Sequence, residues 1–195
     1  MPDSNVIAAV SETLQVILTD ALSTLNPPPP PVAQVHDLQG AIPTNPAQLT
    51  IFLFEVGEDP SARNRPRIRG TAPPNSTLTK PPMALLLRYL LTPWSGDRLT
   101  DHMILGRVMQ VLYDSSILSG PDLRGNLVNT DQAIKITMAP LSLDERARVW
   151  YSVQRPYRLS ASYEVRVVNL DSERVEEKTP VNRRSLEFSG PEVLS

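Results

Sequence analysis

Apolar residues recur at steps of three and four in three stretches of the chain, and this spacing predicts three helices. The first covers residues 5–25 and must end near Asn26, because the five prolines at positions 27–31 cannot donate backbone hydrogen bonds. The second runs from about Arg98 to Tyr113, with Asp97 as its N-cap. The third runs over 142–153 and opens with a capping box.

Strands are predicted where apolar residues form short continuous runs or alternate with polar residues. The continuous runs at 48–56 and 83–92 suit central strands covered on both faces, and Pro93 is expected to end the second. The segments 133–139 and 159–170 alternate as half-buried strands do, and 32–38 is a shorter candidate. This order predicts an α+β fold: one domain over residues 1–170, whose mixed, mainly antiparallel sheet of about four to five strands is flanked by about three helices.

Residues 57–82 contain six prolines and few large apolar residues, which predicts a long irregular loop. Four arginines alternate along its middle, and an extended backbone would project them from one side: Arg63, Arg65, Arg67 and Arg69. Two interpretations stay open. The loop is either a solvated connection kept soluble by its charge, or a basic arm whose guanidinium groups contact carboxylates of a neighbouring subunit. Arg88, in the second central strand, is expected at a solvent-reaching or interface position.

Two further positions need an explanation outside the predicted core. Gly106 interrupts the second helix and weakens it by about 1 kcal/mol relative to alanine, which would make sense if another backbone packs closely there. Beyond Asp171 the chain is charged and aperiodic, so residues 171–195 are predicted to be a flexible tail or to become ordered on a partner.

Composition excludes several classes of function. The chain contains no cysteine, which excludes disulfides and thiolate metal sites, and its formal net charge of −2 gives no reason to expect nucleic-acid binding. The first residues lack a basic leader with a long apolar core, so we expect a cytoplasmic protein. No run approaches the roughly 20 apolar residues that a membrane-spanning helix needs, so direct membrane insertion is not expected.

Catalytic patterns are missing from the sequence. The two histidines, His36 and His102, have no spacing that favours a shared metal, and neither a nucleophile elbow nor a phosphate-binding glycine loop occurs. The sequence therefore predicts no enzyme, no catalytic residue and no cofactor or metal. A hydrolase with an unrecognised site is the remaining alternative, and it would require acidic or histidine side chains clustered in one cleft.

Three segments resemble a known family: LLLRYLLTPW at 85–94, ILGRVMQVLYD at 104–114 and ITMAPLSLDERARVWYSVQRPYRLSASYEVRVV at 136–168. Together with the first helix and the 48–56 strand, they are similar to the tail-terminator or cap proteins of extracellular contractile injection systems, which are phage-tail-like particles. The resemblance covers most of residues 4–170, and Trp150 and the Tyr157–Ser160 stretch are among its most specific pieces.

The resemblance implies a structural protein without catalytic residues. It implies a homo-oligomer, a hexameric ring on the distal end of the particle, that binds the last layers of inner-tube and sheath protein and ends polymerisation. The interface residues that we expect are the four loop arginines and Arg88. A tail-completion or adaptor ring elsewhere in such a particle, for example at the baseplate end, is the second interpretation.

Overall fold

The computed structural model describes residues 4–26, 29–63, 65–66, 68–70, 76–128, 130–171 and 175–178. The chain divides into two compact units, Met1–Asn64 with Pro82–Asp171 and Arg65–Pro81 with Ser172–Ser195. The helices are α1 (Val6–Leu22), α2 (Arg98–Asp114) and α3 (Leu143–Ser152). The strands are β1 (Val32–Val35), β2 (Gln48–Glu58), β3 (Ile68–Gly70), β4 (Ser76–Thr79), β5 (Met83–Trp94), β6 (Ile117–Ser119), β7 (Ala133–Met138), β8 (Ala161–Leu170) and β9 (Val175–Lys178).

The first unit is built on a six-stranded sheet in the order β1-β2-β5-β8-β7-β6. β1 pairs with β2 in parallel and the other pairs are antiparallel, which confirms the predicted α+β fold with a mixed, mainly antiparallel sheet and three helices. The sheet has one strand more than the upper predicted number. The additional strand is β6, whose three residues are too few to give a periodic signal.

Helices cover both faces of this sheet. α1 and α2 share one core cluster with the inward residues of every strand, including Leu87 and Val165. Within it the Tyr89 hydroxyl lies 2.9 Å from Ser11 Oγ, and burial raises the pKa of Tyr89 to about 12. α3 lies on the opposite face, where its Trp150 packs in a smaller cluster with Leu90.

The β5 strand continues through Pro93 to Trp94, so the prediction that Pro93 ends it is wrong. β8 pairs with β5 only as far as Leu91, so no partner strand needs the N–H group that Pro93 lacks. The Pro93 carbonyl instead accepts a hydrogen bond from Arg158 Nε at 2.9 Å.

The second unit contains a three-stranded sheet in the order β3-β4-β9. The predicted 57–82 loop therefore differs from the structure: β2 extends to Glu58, Pro60–Ala62 form a 3-10 turn, and β3 pairs with β4. β9 lies in the predicted flexible tail and pairs with β4. Strands of three or four residues between prolines are too short for their alternation to be recognised in a sequence. Most of 171–195 lies outside the described residues, and the domain boundary near residue 170 stays a prediction.

Candidate assembly surfaces

Arg88 lies at the centre of a row of charged side chains that crosses three strands on the α3 face of the sheet. Strand register places Glu55, Arg88 and Glu164 directly opposite one another. Arg88 reaches Glu55 at 3.0 Å and Glu164 at 3.0 Å, and Arg166 reaches the second oxygen of Glu164 at 2.9 Å. We call these four residues the charged ladder.

The charged ladder is partly shielded from water, which strengthens its contacts. The Glu164 side chain is only 13% exposed, against 33% for Arg88. Burial opposes the charge of Glu164, but hydrogen bonds from Arg166 and Arg88 outweigh it and lower its pKa below the usual value. Burial likewise opposes the charge of Arg88, yet its bonds to Glu55 and Glu164 raise its pKa.

Arg88 thus reaches solvent, as the sequence predicted, but with both its carboxylate partners inside the same sheet. Strand register, which no local pattern reveals, brings those partners together. In the sequence, the only indication of these partners was the polar face of the predicted 159–170 strand, which holds Glu164 and Arg166. Beside the ladder is a cavity of about 270 Å³ between the sheet and the start of α3, lined in part by Phe54, Pro140 and Glu145.

The four loop arginines do not form one extended row. Arg63 follows the 3-10 turn with helical angles of φ −65° and ψ −35° and pairs with Glu58 at 3.1 Å. Arg65 is exposed, Arg69 lies in β3, and Arg67 falls outside the described residues. The backbone at Arg63 is not extended. The expectation that all four arginine side chains project from one side of an extended segment is therefore wrong for Arg63. Their role in an interface stays a prediction.

Two of the most specific residues of the family resemblance, Trp150 and Arg158, meet near Trp94, in a group that we call the Trp94 latch: Trp94, Asp101, Trp150 and Arg158. The Arg158 guanidinium lies 4.4 Å from the centre of the Trp94 ring and bonds Asp101 at 2.8 Å. Trp150 meets Trp94 edge to face at 6.4 Å, and the Trp94 indole N–H donates to Thr50 Oγ1 at 3.0 Å. The latch joins the end of β5, the first turn of α2 and the segment that enters β8.

The predicted cap of α2 is confirmed, since Asp97 accepts a hydrogen bond from the Thr100 amide at 2.8 Å. The capping box of α3 is also present, with Ser142 and Glu145 bonded reciprocally. No local pattern indicated that Asp101 is a buried ion-pair partner, since an acidic residue in a first turn is ordinarily explained by the helix dipole.

The histidines lie apart from any metal-binding cluster in the part of the chain that the structure describes. His36 Nδ1 accepts a hydrogen bond from the Leu38 amide at 2.8 Å, and His102 is exposed on α2. Among the described residues, no three histidine or carboxylate side chains are grouped as a metal site would require. None of the described helices has the length and apolar character needed to span a bilayer.

The outer face of α2 carries an exposed apolar row that was not predicted, because the buried stripe of the same helix dominates the apolar pattern of its sequence. We call it the α2 outer stripe, and its members are Leu99, Met103, Gly106, Met109 and Tyr113. Leu99 is 74% exposed and Tyr113 is 84% exposed. Its C-terminal end borders a groove of about 630 Å³ that Ile136 and Met138 of β7 also line.

Solved structures that share this fold include two terminator proteins. One is the sheath/tube terminator of an extracellular contractile injection system, PVC, in its extended state, with a TM-score of 0.64 and 20% identity over 97% of this chain and 65% of that chain. The other is the tube terminating cap of the anti-feeding prophage, with a TM-score of 0.58 and 22% identity over 96% of this chain and 62% of that chain. The chain therefore spans somewhat less than two thirds of either protein.

No curated protein sequence matches the chain significantly. The family model of the Pvc16 N-terminal domain, in contrast, matches residues 9–184, which is nearly the whole chain. That match includes both central strands, the Trp94 latch and all three helices except the first residues of α1. The chain belongs to the Pvc16 N-terminal domain family.

Proposed function

We propose that the chain is a structural cap of a contractile injection system. In this proposal it forms a ring of six copies on the distal end of the particle, binds the last inner-tube and sheath layers, and ends their polymerisation. The observation that carries the proposal is the family match over residues 9–184, supported by a fold shared with two terminator proteins. Before it joins the particle, the chain is a cytoplasmic protein.

The surfaces of the first unit support an assembly role rather than catalysis. The charged ladder is balanced, with two arginines and two glutamates bonded to one another. Four exposed large apolar side chains form a row on α2, and contiguous exposed apolar surface marks protein–protein contact sites. Such surfaces bind other subunits, which is the chemistry that a cap requires.

The position of the chain on the particle tests this proposal. Particles carrying an affinity tag on the chain would be imaged by electron microscopy with a gold-labelled antibody. We expect label at the end opposite the baseplate. Label at the baseplate end would favour an adaptor ring, and particles without label would contradict a structural role altogether.

The loop arginines are our proposed contact with the particle. Replacing Arg63, Arg65, Arg67 and Arg69 with serine should leave the fold intact, because the described Arg63–Glu58 pair is exposed and such pairs contribute only about 0–1 kcal/mol. We expect weaker ring or tube binding, measured as the fraction of capped particles. Lys135→Ser, at an exposed cation of β7, is the control. Normal capping by the quadruple variant would show that these arginines are not the contact.

A further inference from the structure

We infer that the α2 outer stripe of one copy packs against α3 of the next copy, so that these two helices form the contact between neighbouring subunits of a ring. The inference rests on the proposed function only for the existence of a ring. The exposure, size and charge of side chains on the two helices indicate which residues would build that ring.

Gly106 gives the first reason. It lies in the middle of α2, where glycine lowers helix stability relative to alanine. A Cβ atom built on Gly106 meets nothing within 4 Å outside its own helix, so no close packing in the described chain explains the glycine. A residue without a side chain lets another backbone or a large side chain approach the helix closely. In this inference the approaching group comes from a neighbouring copy.

The area of the α2 outer stripe gives the second reason. Its large side chains are substantially exposed: Leu99 74%, Met103 47%, Met109 40% and Tyr113 84%. For side chains of ordinary size these fractions amount to on the order of 500 Å² of surface, as large as the biggest apolar patches of typical monomers. That area is a large part of the roughly 800 Å² that each partner buries in a stable protein–protein interface.

α3 carries a matching row on its solvent side. Leu143 is 65% exposed, Tyr151 is 86% exposed, and Ala147 lies between them at four-residue steps. With the two helices side by side and parallel, Leu143 lies beside Leu99, Ala147 beside Met103 and Tyr151 over Gly106. Each small residue then faces a large one, which is the condition for close helix packing.

The direction of the two helices follows from charge. Arg98 is exposed at the N-terminal end of α2, where a cation is disfavoured by the helix dipole, and it forms no ion pair with any other described residue. The first turn of α3 is acidic, and its Asp144 side chain is 72% exposed. Parallel packing brings Arg98 to Asp144, whereas antiparallel packing would separate them.

The placement of the two rows explains why a ring rather than a dimer results. α2 packs on one face of the six-stranded sheet and α3 on the other. A contact between two different surfaces of the same chain is heterologous, and it gives a ring where the rotation between copies closes, as the proposed function requires, and an open helical filament where it does not. Two copies joined by α2 alone would instead form a closed dimer with no surface left for a third.

Cysteine cross-linking tests this contact, because the chain has no cysteine of its own. We expect the purified double variant Met103→Cys with Ala147→Cys, oxidised at high concentration, to give a ladder of covalent multimers beyond the dimer. Either single variant should give no ladder of covalent multimers. A control pair, Met103→Cys with Asp20→Cys, should give none either, since Asp20 is exposed on α1. Dimers from Met103→Cys alone would contradict the inference. So would the absence of a ladder both in the purified protein and in capped particles.

Gly106 supplies a second test in which loss of folding cannot explain the result. Gly106→Gln should raise the melting temperature or leave it unchanged, since the site is open and glutamine favours helix. The same change should reduce the cross-linked ladder at least tenfold when added to the double cysteine variant. The glutamine side chain would occupy the space that Tyr151 of the neighbouring copy needs. An undiminished ladder would overturn the role of Gly106, and a lower melting temperature would show that the glycine serves the monomer.

These tests separate the inference from the proposed function. If capped particles form normally but contain no cross-link between positions 103 and 147, the contact is wrong and the capping function stands. If the purified protein gives the ladder but the chain is missing from particles, the ring contact stands and the capping function is wrong.

Discussion

Glu164 bonds both arginines of the charged ladder. It accepts from Arg88 at 3.0 Å and from Arg166 at 2.9 Å while its side chain is only 13% exposed. Because these bonds form only in the folded state, they lower the pKa of its carboxyl group despite burial. A carboxylate with a lowered pKa stabilises the fold above its unfolded pKa, and that contribution is lost as the pH falls through the folded value.

Glu164→Gln should therefore destabilise the protein most at neutral pH. We expect the free energy of unfolding in urea to fall by about 1–2 kcal/mol at about pH 7, the scale of hydrogen bonds to partly buried charges. The difference from the wild type should shrink as the pH falls below the usual pKa of glutamate, about 4.3, and through the lower value of the folded protein. Asp144→Asn is the control, since its pair with Arg148 is highly exposed and should contribute little at neutral or acidic pH. A difference that is constant across this range would contradict the assignment.

At the scale of elements, the Trp94 latch holds together segments that are distant in sequence. Arg158 bonds the Pro93 carbonyl at 2.9 Å and Asp101 at 2.8 Å, and it lies over the Trp94 ring at 4.4 Å. Asp101 is 4% exposed and also accepts from the Ser95 amide at 3.0 Å. One guanidinium group therefore fixes the end of β5 and the start of α2 relative to the segment leading into β8.

Arg158→Met should destabilise the fold by about 3 kcal/mol, because it leaves the buried Asp101 carboxylate without its cation. The double variant Arg158→Met with Asp101→Asn should recover part of this loss, since no unpaired charge then stays buried. Urea unfolding of the two variants and the wild type measures both effects. Equal stability of Arg158→Met and the wild type would show that the latch does not hold these segments.

The sequence predicted the elements whose signal is local. α1 and α3 follow from apolar periodicity and the capping box, and the inward face of β8 follows from Ala161, Tyr163 and Val165. The β6 strand and the three short strands of the second unit were missed, because three or four residues cannot establish a period. β5 continues past Pro93 because β8 pairs with β5 only as far as Leu91. This pairing joins strands that are distant in sequence, so no single segment reveals it.

The candidate surfaces were less predictable than the fold. Arg88 was identified as a solvent-reaching residue, but its partners depend on strand register. The loop arginines were identified by their alternation, and the 3-10 turn before Arg63 removed the first from that pattern. The α2 outer stripe was hidden because the buried and exposed apolar residues of one helix overlap in sequence. Only the structure separates them.

At the scale of the whole molecule, the chain is a member of the Pvc16 N-terminal domain family whose fold is shared with two terminators of contractile injection systems. In the described first unit, four exposed large apolar side chains lie in a row on α2, and the charged ladder and the Trp94 latch pair their own charges internally. The proposed cap would stop a polymer by occupying its last layer, which requires binding surfaces of this kind.

The proposed capping function is tested most directly by measuring the length of tubes and sheaths in cells that lack the chain. Electron microscopy of particles from a deletion strain, from the wild type and from the deletion strain complemented with the chain would give three length distributions. We predict a narrow distribution in the wild type and complemented strains, and a broad one with abnormally long or unstable tubes in the deletion strain. Particles of regulated, wild-type length in the deletion strain would contradict the account.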